Sequence, residues 1–216
     1  RHRLTVTSSS QLPAWWPHGA PPEASVLHNG IDLDRWRFQP SGDGSAAWCG
    51  RITPNKGTHL AIAAARRAGV ALTLYGAIDD AHYWSNVVEP ALGGNVRYAG
   101  HLSADRLPAA IGGASVFLFT PCWDEPFGLV AAEAMACGLP VAAFDMGAAR
   151  EVAGDAGRYA SPDDVTSLAD AIVAVAAVPR AHARDRAMRL FSRERWLDGC
   201  ERLYRQCAGE PSKLAA

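Results

Sequence analysis

The sequence predicts an α/β fold: a doubly wound, parallel, Rossmann-like sheet of about six strands flanked by helices. Short apolar runs alternate with longer segments of helical periodicity, which is the pattern of βαβ units. The runs hold few polar residues, as strands covered on both faces require. The predicted strands are SVLH (25–28), AAWC (46–49), VALTLY (70–75), VRYA (96–99), SVFLF (115–119) and PVAAF (140–144).

The predicted helices occupy the segments between these strands and the end of the chain. Each segment between strands is long enough for two to four helical turns. These segments are THLAIAAARRAG (58–69), DDAHYWSNVVEPAL (79–92), SADRLPAAIGG (103–113) and FGLVAAEAMACG (127–138). After Ser161, two amphipathic helices over 165–176 and 193–207 are expected to finish the chain. The proline-rich segment 13–25 has no periodicity and predicts a linker or interdomain edge.

Composition narrows the class of protein. The chain has 216 residues, of which 49% are hydrophobic and 20% charged, as in soluble globular proteins. The net charge of −1, with acids and bases interspersed, argues against nucleic acid as a partner. Five dispersed cysteines without a CxxC motif indicate reduced thiols and a cytoplasmic location. The chain begins at Arg1 rather than Met, so we expect a piece of a longer protein.

A candidate anion site follows the fifth predicted strand. Pro126 suits the first turn of a helix, where its missing N–H costs nothing. A helix that begins there leaves the N–H groups of Phe127, Gly128 and Leu129 free at the carboxyl edge of the sheet, where ligands of such folds bind. Gly128 also lets a ligand approach the backbone closely.

Two carboxylates accompany this site. Glu125 precedes the predicted helix, and Glu133 lies about two turns further along, among alanines. A carboxylate accepts hydrogen bonds from sugar hydroxyls bidentately, so both can bind a polyhydroxylated ligand. The alternative is that Glu133 faces solvent and Glu125 only balances the helix dipole.

A second candidate site follows the strand that ends at Cys49. After the turn at Gly50, Arg51 and Lys56 flank a loop that contains a proline. Two cations at the carboxyl end of a strand can clamp a diphosphate, although two solvated loop charges are the alternative. The loop is not a P-loop, because Asn55 stands where that motif has glycine.

Two further motifs carry little weight. DLD (32–34) matches a metal-binding pattern, but three residues match often by chance. GDGSAA (42–47) imitates a dinucleotide-binding loop, but it precedes a strand instead of following one. The seven histidines have no ligand spacing, so the sequence predicts no metal site.

With these residues, the chain resembles the carboxyl-terminal, donor-binding lobe of a retaining glycosyltransferase of family 4, which has the two-lobed GT-B architecture. The matching motifs agree in order and spacing over residues 26–152 and include a Glu-x7-Glu pair. They are VLHNGID (26–32), GRITPNKG (50–57), VRYAGHL (96–102) and EPFGLVAAEAMACGLPVAAFDMGAAREV (125–152).

The resemblance implies a role for each candidate residue. Arg51 and Lys56 are expected to neutralise the pyrophosphate of a UDP-, GDP- or ADP-linked sugar, so that neither a metal nor another cofactor is needed. The amides of residues 127–129 are expected to bind the phosphate or the donor sugar. Glu125 is expected to contact the sugar and Glu133 the ribose. The base is expected near His101 and Leu102.

The resemblance also implies an organisation of the chain. Residues 1–24 are expected to be the remnant of an amino-terminal lobe and linker, 25–192 the nucleotide-sugar-binding domain, and 193–216 a crossover helix and tail. The missing lobe is expected to bind a sugar, lipid or natural-product acceptor, so the isolated chain should hardly transfer sugar. The full-length protein is expected in the cytoplasm, with peripheral membrane contact as an open alternative.

The sequence departs from the family's pattern at two places, and two alternatives to a transferase function remain. The family often has serine where Cys122 stands, and Gly-x-Gly where GAID follows Tyr75. One alternative function is a free-standing nucleotide-sugar-binding module. The other is an epimerase or a phosphorylase of the same architecture. The Glu-x7-Glu pair with Arg51 and Lys56 favours the transferase over the latter two.

Overall fold

The computed structural model describes residues 3–208, and eight strands lie within that range. They are β1 (Leu4–Val6), β2 (Ala24–Val26), β3 (Ala46–Cys49), β4 (Leu72–Tyr75), β5 (Val96–Tyr98), β6 (Val116–Phe119), β7 (Val141–Phe144) and β8 (Gly157–Ala160). Six of them form one parallel sheet in the order β5-β4-β3-β6-β7-β8, while β1 and β2 form a separate parallel pair. The predicted α/β class and the doubly wound, six-stranded parallel sheet are therefore confirmed.

The sequence assigned one of the six strands wrongly. The run at 25–28 was predicted to join the main sheet, but Ala24–Val26 pairs with Leu4–Val6 outside it. The missing strand is Gly157–Ala160, which pairs with β7 at the edge of the sheet. Only its first and last residues, Gly157 and Ala160, are buried, and Arg158 between them is exposed, so β8 lacks the continuous apolar run by which the central strands were recognised.

Nine α-helices are assigned within residues 3–208. They are α1 (Gln11–Trp15), α2 (Thr58–Arg67), α3 (Ala81–Tyr83), α4 (Leu107–Gly112), α5 (Leu129–Ala136), α6 (Ala149–Ala153), α7 (Val165–Val175), α8 (Arg180–Phe191) and α9 (Arg193–Ala208). After α3 the chain continues as a π-helical turn and a 3-10 turn that contains Pro90. The segment 13–25, predicted as a linker, overlaps both α1 and β2.

Between Ser161 and residue 208 the chain forms three helices instead of the predicted two. The additional helix is α8, whose buried stripe consists of Ala183, Ala187 and Phe191 and packs on α5. The sequence did not predict α8, because two alanines and one phenylalanine at four-residue spacing are a weak apolar pattern and the helix also contains four arginines.

The strands alternate between two hydrophobic cores. Phe117 and Phe119 contact the core under α5, α6 and α8, whereas Val116 and Leu118 contact the core under α2 and α7. This period of two follows from strand geometry and explains why β6 and its neighbours are apolar throughout.

No single helix within residues 3–208 is long and apolar enough to cross a membrane. Only α7 and α8 taken together meet that requirement of length and composition, and they are bent by 99° at their junction.

Arg180 ties three loops together at the start of α8. Its Nε donates to the carbonyl of Gln39 at 2.8 Å, Nη1 to that of Ala114 at 2.6 Å, and Nη2 to that of Gly112 at 2.8 Å. Nη2 also reaches the carbonyl of Cys137 at 3.3 Å, at the end of α5. The guanidinium therefore satisfies carbonyls at the carboxyl ends of two helices, where a cation is favourable.

We expect Arg180→Ala to lower the free energy of unfolding by about 3 kcal/mol, because several carbonyls lose their donor. Urea unfolding followed by circular dichroism measures this loss. Arg189→Ala is the matched control, since Arg189 lies exposed on the same helix and should change stability by less than about 0.5 kcal/mol. Equal stability of the two variants would contradict the assigned role.

Candidate functional site

The strand order reverses between β3 and β6, which are neighbours in the sheet. From β3 the chain continues to β4 on one side, and from β6 it continues to β7 on the other. Ligands of doubly wound sheets bind at such a switch point, outside the carboxyl ends of the strands. A cavity of about 890 Å³ opens there, between the loops that follow the two strands.

Seven of the ten predicted site residues line this cavity. They are Gly50, Arg51, Lys56, Glu125, Phe127, Gly128 and Leu129. The two loops that the sequence singled out separately therefore form one site. His101, Leu102 and Glu133 do not line it.

The loop that carries Lys56 is fixed to the end of β6. The Thr120 hydroxyl accepts a hydrogen bond from Trp48 Nε1 at 3.0 Å and lies 3.0 and 3.1 Å from the carbonyls of Lys56 and Gly57. Gly57 has a φ of +65°, and a Cβ there would lie 2.1 Å from the carbonyl oxygen of Thr120. This close approach needs glycine, and it places Lys56 against the cavity.

We expect Thr120→Val to lower the free energy of unfolding by about 1–3 kcal/mol, because the buried Trp48 indole N–H loses its acceptor. Thermal or urea unfolding measures the change. Thr53→Val is a suitable control, since the Thr53 hydroxyl bonds only within its own exposed loop. A Thr120→Val protein as stable as the Thr53→Val protein would contradict the anchoring role.

Lys56, Glu125 and Trp123 form a cluster on the cavity wall. Lys56 Nζ lies 2.5 Å from Glu125 Oε2, and Trp123 Nε1 donates to the same oxygen at 2.8 Å. The ammonium also lies 5.3 Å from the centre of the Trp123 ring, which is a cation–π distance. The lysine predicted to bind a diphosphate is therefore paired with the glutamate predicted to bind a sugar.

Arg51 lies at the rim of the same cavity. Its side chain is 66% exposed, and Nη1 reaches Asp79 Oδ2 at 3.4 Å. An exposed pair of this length contributes little energy. Both cations are thus at the cavity, but Lys56 is held in place while Arg51 is largely solvated.

The predicted start of the helix is wrong by three residues. Pro126 lies outside α5, which begins at Leu129, with Gly128 at the N-cap position and a φ of +85°. Within residues 3–208, the N–H groups of Phe127, Gly128, Leu129 and Val130 have no protein acceptor. The three N–H groups predicted to be free at this loop therefore lack a protein partner, and that of Val130 lacks one as well.

Gly128 is required by packing as well as by conformation. A Cβ at this position would lie 2.5 Å from Cζ of Phe119 in β6. The sequence attributed this glycine to close approach of a ligand, but the structure shows that the aromatic ring of Phe119 already excludes a side chain there.

Glu133 is half-buried on α5, so the alternative of a solvent-facing residue is wrong. Burial raises its pKa to about 7, although the positive charge of Arg35 opposes the shift. Burial also raises the pKa of the Cys49 thiol to about 12, with a further contribution from the charge of Glu133. Cys49, at the end of β3, packs against the same hydrophobic core as the buried residues of α5, the helix that carries Glu133. No protein donor within residues 3–208 bonds its carboxylate.

His101 and Leu102 follow β5, at the edge of the sheet. His101 is exposed, whereas Leu102 is half-buried and packs on the core that contains α5. The cavity does not reach them, and their contact with a base stays a prediction.

The sequence missed the part of the site that comes from residues 4–16. Ser8 Oγ donates to the carbonyl of Pro126 at 2.6 Å, and Ser9 donates to Glu151 through both its N–H and its hydroxyl. Glu151 also contacts His28 Nε2 at 2.7 Å. The hydroxyl-rich run TSSS was a visible signal, but its partners lie more than 100 residues away in the sequence.

The two weak motifs have local structural roles. Asp32 accepts hydrogen bonds from the N–H groups of Asp34 and Arg35 and pairs with Arg193 at 2.8 Å. The segment 42–47 leads into β3, and Asp43 bonds Ser45 there. Among residues 3–208 no three histidine, cysteine or acidic side chains are grouped as metal ligands.

A doubly wound parallel sheet with a crevice at its switch point, lined by two cations and free N–H groups, defines a Rossmann-like domain with a candidate anion-binding site. The chain belongs to the family described as glycosyl transferases group 1, whose model matches residues 44–177. The matched range includes both loops of the cavity, but not β1, β2 or α8 and α9.

The comparisons with individual proteins agree with this family. The chain is 34% identical to glycogen synthase of Mycobacterium tuberculosis, over 81% of this chain and 45% of that protein. Sucrose-phosphate synthase from Thermosynechococcus elongatus is similar in structure, with a TM-score of 0.80 and 26% identity over 95% of this chain and 58% of that one. The chain thus spans less than half the length of the curated relatives it matches.

A third relative shares the fold. The structure of HepE from Anabaena in complex with UDP and glucose matches with a TM-score of 0.78 and 22% identity, over 96% of this chain and 63% of that one. The structural neighbours are GT-B glycosyltransferases.

Proposed function

We propose that the chain is the donor-binding, carboxyl-terminal lobe of a metal-independent, retaining glycosyltransferase of family 4, which transfers a sugar from a nucleoside diphosphate to an acceptor hydroxyl. The observation that carries the proposal is one cavity, at the switch point, that contains both Lys56 and the free N–H groups at the start of α5. Membership of the glycosyl transferases group 1 family and the UDP bound by HepE support it.

The proposed mechanism rests on where charge develops. When the bond between the sugar and the diphosphate breaks, negative charge grows on the leaving oxygen and positive charge on the sugar ring. Lys56, Arg51 and the dipole of α5 stabilise the negative charge, which would otherwise call for a metal. Interactions that strengthen as this charge grows lower the barrier.

The two glutamates have separate proposed roles. Glu125, on the cavity wall, accepts hydrogen bonds from the donor sugar, and Glu133, about one turn after the start of α5, accepts them from the ribose. His101 and Leu102 lie near the base. Retention proceeds by front-face attack, so Glu125 is not proposed as a nucleophile.

The organisation of the whole protein is part of the proposal. Residues 1–24 complete an amino-terminal, acceptor-binding lobe, 25–192 bind the nucleotide sugar, and 193–216 cross back to that lobe. Trp196, Leu197 and Tyr204 of α9 are exposed, which suits a helix that another lobe covers. The acceptor is a sugar, lipid or natural product. The protein is cytoplasmic, with peripheral membrane contact as an alternative.

Calorimetric titration with UDP, GDP and ADP, each with and without EDTA, tests the proposal. We expect at least one nucleotide to bind, with an affinity that EDTA leaves unchanged. Binding of none of the three would overturn the proposed function. Loss of binding on chelation would overturn metal independence alone.

A free-standing nucleotide-sugar-binding module is the second candidate, since residues of this chain alone line the cavity. The sequence encoded upstream of Arg1 distinguishes the two. An in-frame α/β domain there favours the transferase, and a stop codon favours the module.

A further inference from the structure

The carboxylate of Glu125 is held through one of its two oxygens. Oε2 accepts hydrogen bonds from both Lys56 Nζ and Trp123 Nε1. No donor within residues 3–208 bonds Oε1. A carboxylate with one oxygen occupied twice and the other free has a fixed orientation and a remaining acceptor.

Trp123 contacts both charged members of this cluster. Its indole N–H bonds Glu125, while its ring lies under the Lys56 ammonium. The side chain is 41% exposed and lines the cavity beside Glu125. It is therefore within reach of a ligand without being part of the core.

A diphosphate in the cavity changes the balance within the cluster. Its negative charge competes with Glu125 for Lys56, so the ion pair weakens when the ligand binds. The indole N–H then remains as the neutral donor that keeps the Glu125 carboxylate from rotating. Such a donor does not compete for the phosphates, because it is directed at Oε2.

We propose that Trp123 is a positioning residue that fixes Glu125 so that Oε1 accepts a hydroxyl of the donor sugar. This inference rests on the proposed function and deepens it. Trp123 governs the sugar-dependent part of donor affinity, whereas the phosphates are bound mainly by Lys56 and the start of α5. The ligand chemistry is that of a sugar hydroxyl directly attached to the ring of a nucleotide sugar.

The experiment compares each nucleotide sugar with its nucleotide in calorimetric titrations. The probes are UDP-glucose, UDP-N-acetylglucosamine, GDP-mannose and ADP-glucose against UDP, GDP and ADP, and the pair with the largest preference for the sugar form is followed. In Trp123→Phe the ring is kept and the N–H removed. We expect nucleotide affinity within about twofold of the wild type and the preference for the sugar form reduced about tenfold.

Trp196→Phe is the matched control. Trp196 is an exposed tryptophan of α9 that does not line the cavity and has no hydrogen bond to Glu125. We expect this variant to keep the wild-type preference for the sugar form. An equal loss in both variants, or no loss in Trp123→Phe, overturns the inference.

A readout without ligand separates this inference from the proposed function. The indole N–H resonance of Trp123, assigned by its absence in Trp123→Phe, should shift in Glu125→Gln in nitrogen-15 spectra, while that of Trp196 stays in place. An unshifted Trp123 resonance overturns the positioning contact. If the wild-type protein binds no nucleotide, the proposed function is wrong. If it binds nucleotides but has no preference for the nucleotide sugar, only the proposed role of Trp123 is wrong.

Discussion

Lys56→Ala is expected to weaken binding of UDP, or of whichever nucleoside diphosphate binds, by about 10²-fold. Two effects combine. The diphosphate loses its half-buried cation, and Glu125, whose side chain is only 15% exposed, is left as an uncompensated negative charge on the cavity wall. Isothermal titration calorimetry at constant ionic strength measures the loss.

Three comparisons sharpen this prediction. Arg51→Ala should cost less than about tenfold, because the Arg51 side chain is largely solvated. Arg67→Ala removes an exposed charge at the far end of α2 and should leave affinity unchanged. Adding Glu125→Gln to Lys56→Ala should restore part of the UDP affinity by removing the repulsion. A Lys56→Ala protein within threefold of the wild type would refute the assignment.

Glu133→Gln is expected to stabilise the protein increasingly as the pH rises from 5 to 8, by up to about 3 kcal/mol. Burial in the folded state raises the pKa of Glu133 from its ordinary value of 4.5 to about 7, so the folded state favours the protonated carboxyl. Between these two pH values the folded chain binds a proton that the unfolded chain has released, and wild-type stability falls. Glutamine stays neutral and avoids this loss.

Urea unfolding at pH 5, 6, 7 and 8 measures the difference between Glu133→Gln and the wild type. Glu194→Gln is the control for the loss of one carboxylate, since Glu194 is exposed on α9. A constant difference for Glu133→Gln across this range would show that burial does not disfavour its charge. Within the proposed function, the unfavourable burial of this carboxylate would be offset when ribose hydroxyls donate to it.

Much of the fold could be predicted because its signals are local. β3, β4, β6 and β7 are buried on both faces, and such strands are apolar at successive positions. β8 was not recognised because only its first and last residues are buried, and α8 was not recognised because its narrow buried stripe is surrounded by arginines. The start of α5 at Leu129 was not predicted, because a proline is tolerated in the first turn of a helix but does not require a helix to begin there.

The sequence predicted which residues form most of the candidate site, but not which of their side chains bond each other. The sequence placed Lys56 and Glu125 on two loops after two strands, and a parallel sheet brings those loops to one edge. It did not predict that the two side chains bond each other, nor that Trp123 joins them. Side-chain pairing depends on loop conformation, which Thr120 sets through contacts more than 60 residues apart in the sequence.

By itself, the sequence determined the α/β class, the edge of the sheet that carries the site and the charged residues placed there. These follow from apolar periodicity and strand direction, which are properties of short segments. Only the tertiary structure decided which cation is held and which is solvated, that Glu133 is half-buried, and that residues 4–16 complete the cavity wall. The physical reason is that the burial and pairing of a side chain depend on residues that are distant in the sequence. A short segment does not show which of these residues will contact it.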